Sequence, residues 1–174
     1  MFDIAVIGAG PTGLVSALTF AKAGYNVAVV DPIDRARIAA SENSDDSQDR
    51  RTTAHLTPTV KFLKDLAIWD EICRNACALE RLVIIEDPTR NVTSKRQERT
   101  VFDPAELGNQ NFGYNVPIKD NLEGLAKLVK ANRNITSVLG VGLQNVVQNR
   151  ETVSGILTNG VIVEAKLLIG ADGG

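Results

Sequence analysis

The chain has 174 residues, enough for about one domain at roughly 150 residues per domain. It is 44% hydrophobic and 23% charged, close to the globular average, so we expect a packed core rather than wholesale disorder. A net charge of −2 argues against a surface that binds nucleic acid. With one histidine (His55) and two cysteines (Cys73 and Cys77), the sequence offers no multi-histidine or four-cysteine metal site.

Membrane insertion and export are not indicated by the sequence. Apolar runs are shorter than the roughly 20 residues of a membrane-spanning helix. The N-terminus enters an apolar strand without a basic, cleavable leader. We therefore expect a cytoplasmic α/β protein.

The chain begins with a predicted β-α-β unit. FDIAVI at 2–7 and NVAVV at 26–30 are short apolar runs typical of buried parallel strands. A helix is predicted over 11–23 between them. Pro11 suits its first position and Gly24 suits the position after its end.

The middle of the chain is predicted to mix loops, helices and strands. Thr52 or Thr53 is a suitable N-cap for a helix that extends to Leu66. A short helix over 68–77 would place both cysteines four residues apart as small buried thiols. The other predicted elements are solvated loops at 41–50 and 93–99, strands at 81–87, 99–102 and 112–116, and a helix at 119–131.

The C-terminal part is predicted to be mainly strands. Short alternating runs at 135–163 predict a β-meander, and Asn159-Gly160 is a strong signal for a tight hairpin. The apolar run KLLIG then ends in Ala171-Asp172-Gly173-Gly174.

The first motif, GAGPTG at 8–13, has the features of a dinucleotide-binding turn. Gly8 permits the tight turn, and Gly10 has no side chain to keep a pyrophosphate from the backbone. Gly13 lets the helix pack closely on the strand. The helix N-terminus then presents N–H groups and a partial positive charge to phosphates.

Asp31 lies at the end of the second predicted strand, 18 residues after Gly13. An acidic residue there accepts hydrogen bonds from an adenosine ribose and opposes a 2′-phosphate. The motif therefore disfavours NADP as the primary ligand and leaves both FAD and NAD open.

Two further segments contain candidate ligand-binding residues. An arginine of Arg50-Arg51 could reach a pyrophosphate, although a solvated arginine pair explains that segment as well. LLIGADGG at 167–174 brings a carboxylate to the carboxyl edge of a sheet, where ligands of α/β folds sit, and a simple turn is an equal alternative.

In this order, GAGPTG, DRRTTAHLTPTVKFLKDLAIWDEI and LLIGADGG resemble FAD-dependent aromatic-ring monooxygenases of the p-hydroxybenzoate hydroxylase type. Within that family the chain is most similar to the ubiquinone-biosynthesis hydroxylases, and the middle segment is the most specific part. The resemblance implies a Rossmann-like α/β FAD/NAD(P)-binding fold with a central parallel sheet and a β-meander at 135–163. It also implies that 1–174 is the N-terminal portion of the protein, with about 80–116 forming part of a substrate-facing sheet and the C-terminal half absent.

The resemblance also implies roles for individual residues. Arg51 would contact FAD, and Asn115 would lie near the ribityl chain, where relatives often have Gln. The backbone of Leu143 would meet the adenine, whereas His55 stands where an apolar residue is usual and is expected to be structural. No catalytic side chain is indicated. The cofactor-binding set is Gly8, Ala9, Gly10, Pro11, Thr12, Gly13, Asp31, Arg51, Asn115, Leu143, Asp172 and Gly173.

The chemistry implied by the resemblance belongs to the flavin. NAD(P)H reduces FAD, and O2 supplies the hydroxyl that is transferred to a phenol ring, here a prenylated phenol. Peripheral contact with the inner face of the membrane, a homo-oligomer and contact with other ubiquinone-biosynthesis proteins are open. Two alternatives remain: a flavin reductase or dehydrogenase of the same fold, and a non-catalytic nucleotide-binding module.

Overall fold

The computed structural model describes residues 1–33, 50–85 and 99–173. Three predicted segments lie partly outside these residues: positions 41–49 of the loop at 41–50, positions 86–87 of the strand at 81–87, and positions 93–98 of the loop at 93–99. The strands are β1 (Phe2–Ile7), β2 (Val27–Asp31), β3 (Thr52–Leu56), β4 (Cys77–Ala78), β5 (Leu82–Ile85), β6 (Arg99–Phe102), β7 (Gly113–Pro117), β8 (Ile135–Leu139), β9 (Leu143–Gln148), β10 (Val153–Leu157) and β11 (Ile162–Gly170). The helices are α1 (Pro11–Lys22), α2 (Thr57–Asp65), α3 (Trp69–Ile72) and α4 (Ile118–Ala131), with a 3-10 turn at Pro104–Leu107.

The central sheet has the strand order β8-β2-β1-β11-β10-β9. β8, β2, β1 and the second half of β11 are parallel, so their carboxyl ends share one edge. Ile7 lies opposite both Val30 of β2 and Gly170 of β11. The chain segments that follow these three residues therefore start side by side.

Both faces of β1 are buried, which explains its continuous apolar sequence. Ile4 and Val6 point into a core shared with α1, α2 and α4. Ala5 and Ile7 point into a second core, formed with β10 and the first half of β11. Full burial of an aliphatic side chain such as Val6 stabilises the fold by roughly 1.5–3 kcal/mol.

The meander consists of β9, β10 and β11, which are antiparallel neighbours. Its β10–β11 turn contains Gly160 at φ +81°, and this glycine alone, not Asn159, takes the left-handed conformation of the hairpin. β8, which we predicted as the first strand of this meander, instead lies at the opposite edge of the sheet beside β2. A short alternating run predicts a strand but not which strand it pairs with. Here α4 directly precedes β8 and connects it to the edge of the sheet beside β2.

β3 is a correction to the sequence prediction, which placed a helix from Thr53 onward. Thr53 lies in a strand opposite Val116 of β7, and β3, β7 and β4 form a small antiparallel sheet. The helix starts at Thr57, with Leu56 rather than a threonine as its N-cap and Pro58 in its first turn. Pro58 favours a helix start there, and the β-branched pair Thr52-Thr53 favours the strand.

The cysteines also differ from expectation. Cys73 is the C-cap of α3 and is partly exposed, whereas Cys77 is exposed in β4. They do not share a helix face because α3 ends at Ile72. Neither is a buried core thiol.

β5 and β6 pair as an isolated two-stranded ribbon. Its apolar side chains are exposed, with Leu82, Ile84 and Ile85 each more than half accessible. A two-stranded ribbon has little core of its own, so these side chains form an apolar surface.

Candidate cofactor-binding site

The turn after β1 has the geometry that its glycines predict. Gly8 adopts φ +113°, and its N–H donates to the carbonyl of Val30 at 2.7 Å. A Cβ on Gly8 would collide with the carbonyl oxygen of Ala171, and a Cβ on Gly13 would collide with that of Gly8. A Cβ on Gly10 would meet nothing within 4 Å. Gly8 and Gly13 are therefore required by the fold, and Gly10 leaves the outer side of the turn open.

The open side of this turn lies at the N-terminus of α1. Gly10 is the N-cap and brings no side-chain acceptor, and Pro11 is the first helical residue, as predicted. Thr12 is exposed beside it. Main-chain N–H groups and the positive end of the helix dipole suit a phosphate at this position. The residues present therefore fit the pyrophosphate of a dinucleotide such as FAD.

Asp31 ends β2 and is only 4% exposed. Its Oδ2 accepts from the N–H of Ala9 at 2.7 Å, and its Oδ1 accepts from the N–H of Ile33 at 2.7 Å. Sequence reasoning assigned this carboxylate to a ribose and missed both main-chain contacts. The contact with Ile33 is an Asx turn, which Asp31-Pro32 signals in the sequence; the contact with Ala9 has no local signal.

The end of β11 meets the glycine turn. The N–H of Ala171 donates to the carbonyl of Ile7 at 2.7 Å. Asp172 and Gly173 follow with exposed side chain and backbone, and Gly173 adopts φ +80°. The structure therefore brings together the two glycine-containing motifs, which are about 160 residues apart in sequence. Parallel pairing of β1 and β11 is the physical reason.

Leu143 starts β9, and its side chain packs against the second core. Just before it, the N–H of Val141 donates to the carbonyl of Asp31 at 3.2 Å. The N–H of Gly142 is 3.2 Å from the hydroxyl oxygen of Thr158. The structure thus places the backbone at 141–143 beside the end of β2, next to Asp31.

Arg51 and Asn115 lie on the small sheet. The main-chain carbonyl of Arg51 accepts from the N–H of Ile118 at 3.0 Å, and its side chain is exposed. Asn115 is half-buried in β7, between Ala54 of β3 and Cys77 of β4. Arg51 therefore lies directly before β3, the strand that pairs with the β7 strand of Asn115.

An apolar cavity of about 460 Å³ connects this sheet to the glycine turn. Pro11 and Thr12 of α1 line one side of it, and Thr53 and His55 of β3 line another. The start of α1 and the strand that follows Arg51 therefore border the same space. This places the small sheet beside the N-terminus of α1.

His55 and Asn121 form a polar pair at this cavity that the sequence did not reveal. Nε2 of His55 lies 3.1 Å from Oδ1 of Asn121, and the His55 ring meets Trp69 edge to face. Asn121 is fully buried, and its Nδ2 lacks a hydrogen-bond partner among the described residues. The available signal was an asparagine on the apolar face of the predicted helix, next to Leu122 and four residues before Leu125.

Within residues 1–33, 50–85 and 99–173, three or more His, Cys, Asp or Glu side chains do not cluster as a metal site would require. None of the helices in those ranges is both long and apolar enough to cross a membrane.

Comparison with known proteins defines the class. A family model described as an FAD binding domain matches residues 1–174, so the chain belongs to this family of FAD-binding domains. The prediction of a Rossmann-like α/β FAD-binding fold is thereby confirmed. No curated protein sequence matches the chain.

Solved structures share the fold at low sequence identity. A p-nitrophenol 4-monooxygenase from Pseudomonas putida is 19% identical with a TM-score of 0.71, over 98% of this chain and 40% of its own. An anhydrotetracycline hydroxylase from Streptomyces rimosus is 20% identical with a TM-score of 0.69, over 99% and 32%. A Diels–Alderase of pyrroindomycin biosynthesis is 19% identical with a TM-score of 0.73, over 98% and 32%. The chain thus spans less than half the length of each of these proteins.

Proposed function

We propose that this chain is the FAD-binding portion of a monooxygenase that hydroxylates an aromatic ring with NAD(P)H and O2. The observation behind the proposal is that one FAD-binding family model matches all of 1–174 and that the Gly8–Gly13 turn and Ala171–Gly173 meet at one edge. Two structural neighbours with the same fold are named as a monooxygenase and a hydroxylase, which supports the reaction class. When bound, FAD supplies the redox chemistry.

The residues of this chain have binding tasks in that proposal. The N-terminus of α1 would hold the pyrophosphate, and Asp31 would accept from the adenosine ribose. Arg51 would contact the pyrophosphate region, and Asn115 the ribityl chain. Asp172 and Gly173 would serve FAD and the NAD(P)H co-substrate at the carboxyl edge of the sheet. The backbone at Leu143 would lie at the adenine.

The proposed substrate class is a polyprenyl phenol of ubiquinone biosynthesis. Support comes from the likeness of residues 49–72 to that branch of the family, a segment that includes β3, α2 and α3. A prenylated substrate would be drawn from a membrane, so the whole protein would act in the cytoplasm, in contact with the inner membrane face. Contacts with a second copy or with other enzymes of that biosynthesis belong to the same proposal.

We further propose that residues 1–174 alone do not hydroxylate a substrate. The apolar side chains of the β5–β6 ribbon, within the segment 80–116 assigned to a substrate-facing sheet, are exposed. The solved neighbours are two to three times longer than the stretch they share with this chain. In residues 1–174 alone, water would therefore reach the reacting ring. A site for this reaction has to exclude water.

The test uses the 174-residue chain beside a longer protein that contains it. Each is saturated with FAD and supplied with NADH or NADPH, ¹⁸O2 and a prenylated phenol. We expect FAD binding by both, and ¹⁸O-labelled product matched to NAD(P)H oxidation only from the longer protein. Product from the short chain at a comparable rate would contradict the need for further sequence.

The same experiment separates the alternatives. NAD(P)H oxidation that is independent of phenol and leaves no ¹⁸O in product indicates a reductase or dehydrogenase. FAD binding without NAD(P)H oxidation by the longer protein indicates a non-catalytic module. One structural neighbour is named as a Diels–Alderase, so proteins with this fold also catalyse other reactions.

A further inference from the structure

The carboxylate of Asp31 is bonded to the main chain on both of its oxygens. Oδ2 accepts from Ala9 in the glycine turn, and Oδ1 accepts from Ile33 in the segment after β2. We propose that Asp31 is a positioning residue that fixes the phosphate-binding turn, apart from any contact with a ribose. This inference rests on the proposed binding of a dinucleotide at the turn.

Two successive hydrogen bonds attach the turn to the end of β2. The N–H of Gly8 donates to the carbonyl of Val30, and the N–H of Ala9 donates to the side chain of Asp31, each at 2.7 Å. The first bond is available to any residue at position 30, but the second needs an acceptor on residue 31. Asp31 therefore sets the direction in which the peptide between Gly8 and Ala9 lies.

This arrangement limits which groups can bind a phosphate. The N–H of Ala9 is already donated to Asp31, and Pro11 has no N–H. The donors of the turn for an anion are then those of Gly10, Thr12 and Gly13, because the N–H of Leu14 donates to the carbonyl of Gly10 at 3.0 Å. Loss of the Asp31 contact would release the Ala9 peptide and disturb that set of donors.

Asparagine at position 31 isolates this role from packing. It has almost the same size as aspartate, but its amide offers one acceptor oxygen and places an NH2 where the second acceptor was. One of the two N–H donors, Ala9 or Ile33, would then face another donor. A buried donor left without a partner is costly, so the turn would shift.

The two roles of Asp31 predict different responses to the ribose hydroxyls. If Asp31 acted only through the ribose, substitution would not change the affinity for a nucleotide that lacks those hydroxyls. If Asp31 acts through the turn, substitution weakens binding of both nucleotides. ADP and 2′,3′-dideoxy-ADP are therefore the probes.

The experiment measures binding of both probes by calorimetry to the 174-residue parent, Asp31→Asn and Asp31→Ala. We expect both substitutions to weaken the binding of 2′,3′-dideoxy-ADP by about tenfold or more, which is the usual consequence of losing a charge-assisted hydrogen bond. Asp3→Asn is the matched control. Asp3 also accepts from a main-chain N–H, that of Asn26, but at the far end of the same two strands. It should leave both affinities unchanged.

Amide hydrogen exchange tests the turn without any ligand. The Ala9 N–H should be protected in the parent and should exchange at least about tenfold faster in Asp31→Asn. Unchanged affinity of both substituted proteins for 2′,3′-dideoxy-ADP would overturn the inference. So would rapid exchange of Ala9 in the parent, a result that requires no variant to fold. If the parent binds neither nucleotide, the proposed cofactor function fails, and the exchange at Ala9 still decides the role of Asp31 in the turn.

Discussion

Gly10 and Gly13 belong to the same motif, yet their surroundings differ. A Cβ on Gly13 would fall on the carbonyl oxygen of Gly8, whereas one on Gly10 would project into open space. Gly10 also has φ −72°, which any residue can adopt. At the scale of single residues, the motif therefore separates into Gly13, which the fold requires, and Gly10, beside which the fold leaves open space.

The first prediction concerns these two glycines. Gly13→Ala should lower the free energy of unfolding by about 1–3 kcal/mol, because main-chain atoms of the turn or α1 must move apart. Gly10→Ala is its control and should change stability by less than about 0.5 kcal/mol, yet weaken FAD binding. Urea unfolding and FAD titration measure the two quantities. Equal stability of both variants would contradict the close contact between the turn and α1.

The second prediction concerns the arginine pair before β3. Arg51→Ala should weaken FAD binding by about 1–3 kcal/mol through loss of a charge-assisted contact, and Arg51→Lys should restore it only in part. Arg50→Ala removes the same charge one residue earlier and should have a much smaller effect. If the two alanine variants weaken FAD binding equally, the loss arises from the change in net charge and not from a specific contact of Arg51. If FAD binding is unchanged and NAD binding falls, the ligand at Arg51 is a nicotinamide dinucleotide.

Between elements, α4 and β3 are joined by one polar contact inside an apolar core. His55 of β3 meets Asn121 of α4, and both line the cavity beside α1. The amide of Asn121 makes that contact through its oxygen, and Asn121 is fully buried at a cavity that Leu63 and Leu125 also line. Replacing one partner therefore differs from replacing both.

The third prediction uses that difference. Asn121→Leu alone leaves Nε2 of His55 without its partner, a loss of about 1–3 kcal/mol in the free energy of unfolding. At the same time it removes Nδ2 of Asn121, which has no partner among the described residues, and this offsets part of the loss. Adding His55→Phe should recover most of that loss, since both polar groups are then gone and Trp69 keeps an aromatic neighbour. Urea unfolding of the two single variants and the double variant gives the coupling energy. Strictly additive losses would show that the two side chains do not interact.

At the scale of the whole molecule, Asp3 and Lys166 join the two ends of the described chain. Nζ of Lys166 donates to Oδ1 of Asp3 at 2.8 Å, and the N–H of Asn26 donates to Oδ2. These contacts, that of Lys166 first, hold the pKa of Asp3 below its ordinary 3.8. The same contact with Asp3 raises the pKa of Lys166 above 10.5.

The fourth prediction follows from the signs of these shifts. The contribution of Asp3 to stability is present above pH 3.8 and is lost as pH falls through its lower folded pKa. That of Lys166 is present below pH 10.5 and is lost as pH rises through its higher folded pKa. Lys166→Met should move the pKa of Asp3 up toward 3.8 in a carboxyl NMR titration. Lys130→Met, at the exposed end of α4, should leave the pKa of Asp3 unchanged. If neither variant changes the pKa of Asp3, the ion pair with Lys166 is contradicted.

Local sequence patterns predicted most of the helices and strands. The structure differs from the prediction where a strand depends on a partner that is distant in the chain. α1 was predicted from its periodicity, from Pro11 and from Gly24, all of which act within a few residues. β3 was missed because Leu56, Val60 and Leu63 share helical spacing, while its partner β7 lies about 60 residues later in the chain.

The candidate site was likewise predictable where residues act locally and not where they make contacts with distant segments. The glycines were identified from the motif: close main-chain contacts require Gly8 and Gly13, and Gly10 leaves the outer side of the turn open. Asp31 was identified at the right position, but its bond to Ala9 needed the three-dimensional turn. The contact between His55 and Asn121 joins β3 to α4, and neither segment alone reveals it.

The parallel pairing of β1 with β11 bears on the order of events during synthesis. A ribosome adds about 5–20 residues per second, so β11 emerges on the order of ten seconds after β1. Asp3 and Lys166 are 163 positions apart. During that interval β1 can pair with β2, but its other edge, with apolar Ile4 to Ile7, has no partner within the chain made so far. An unpaired strand edge recruits other strands, so the nascent chain should depend on chaperones during this interval more than the finished domain does.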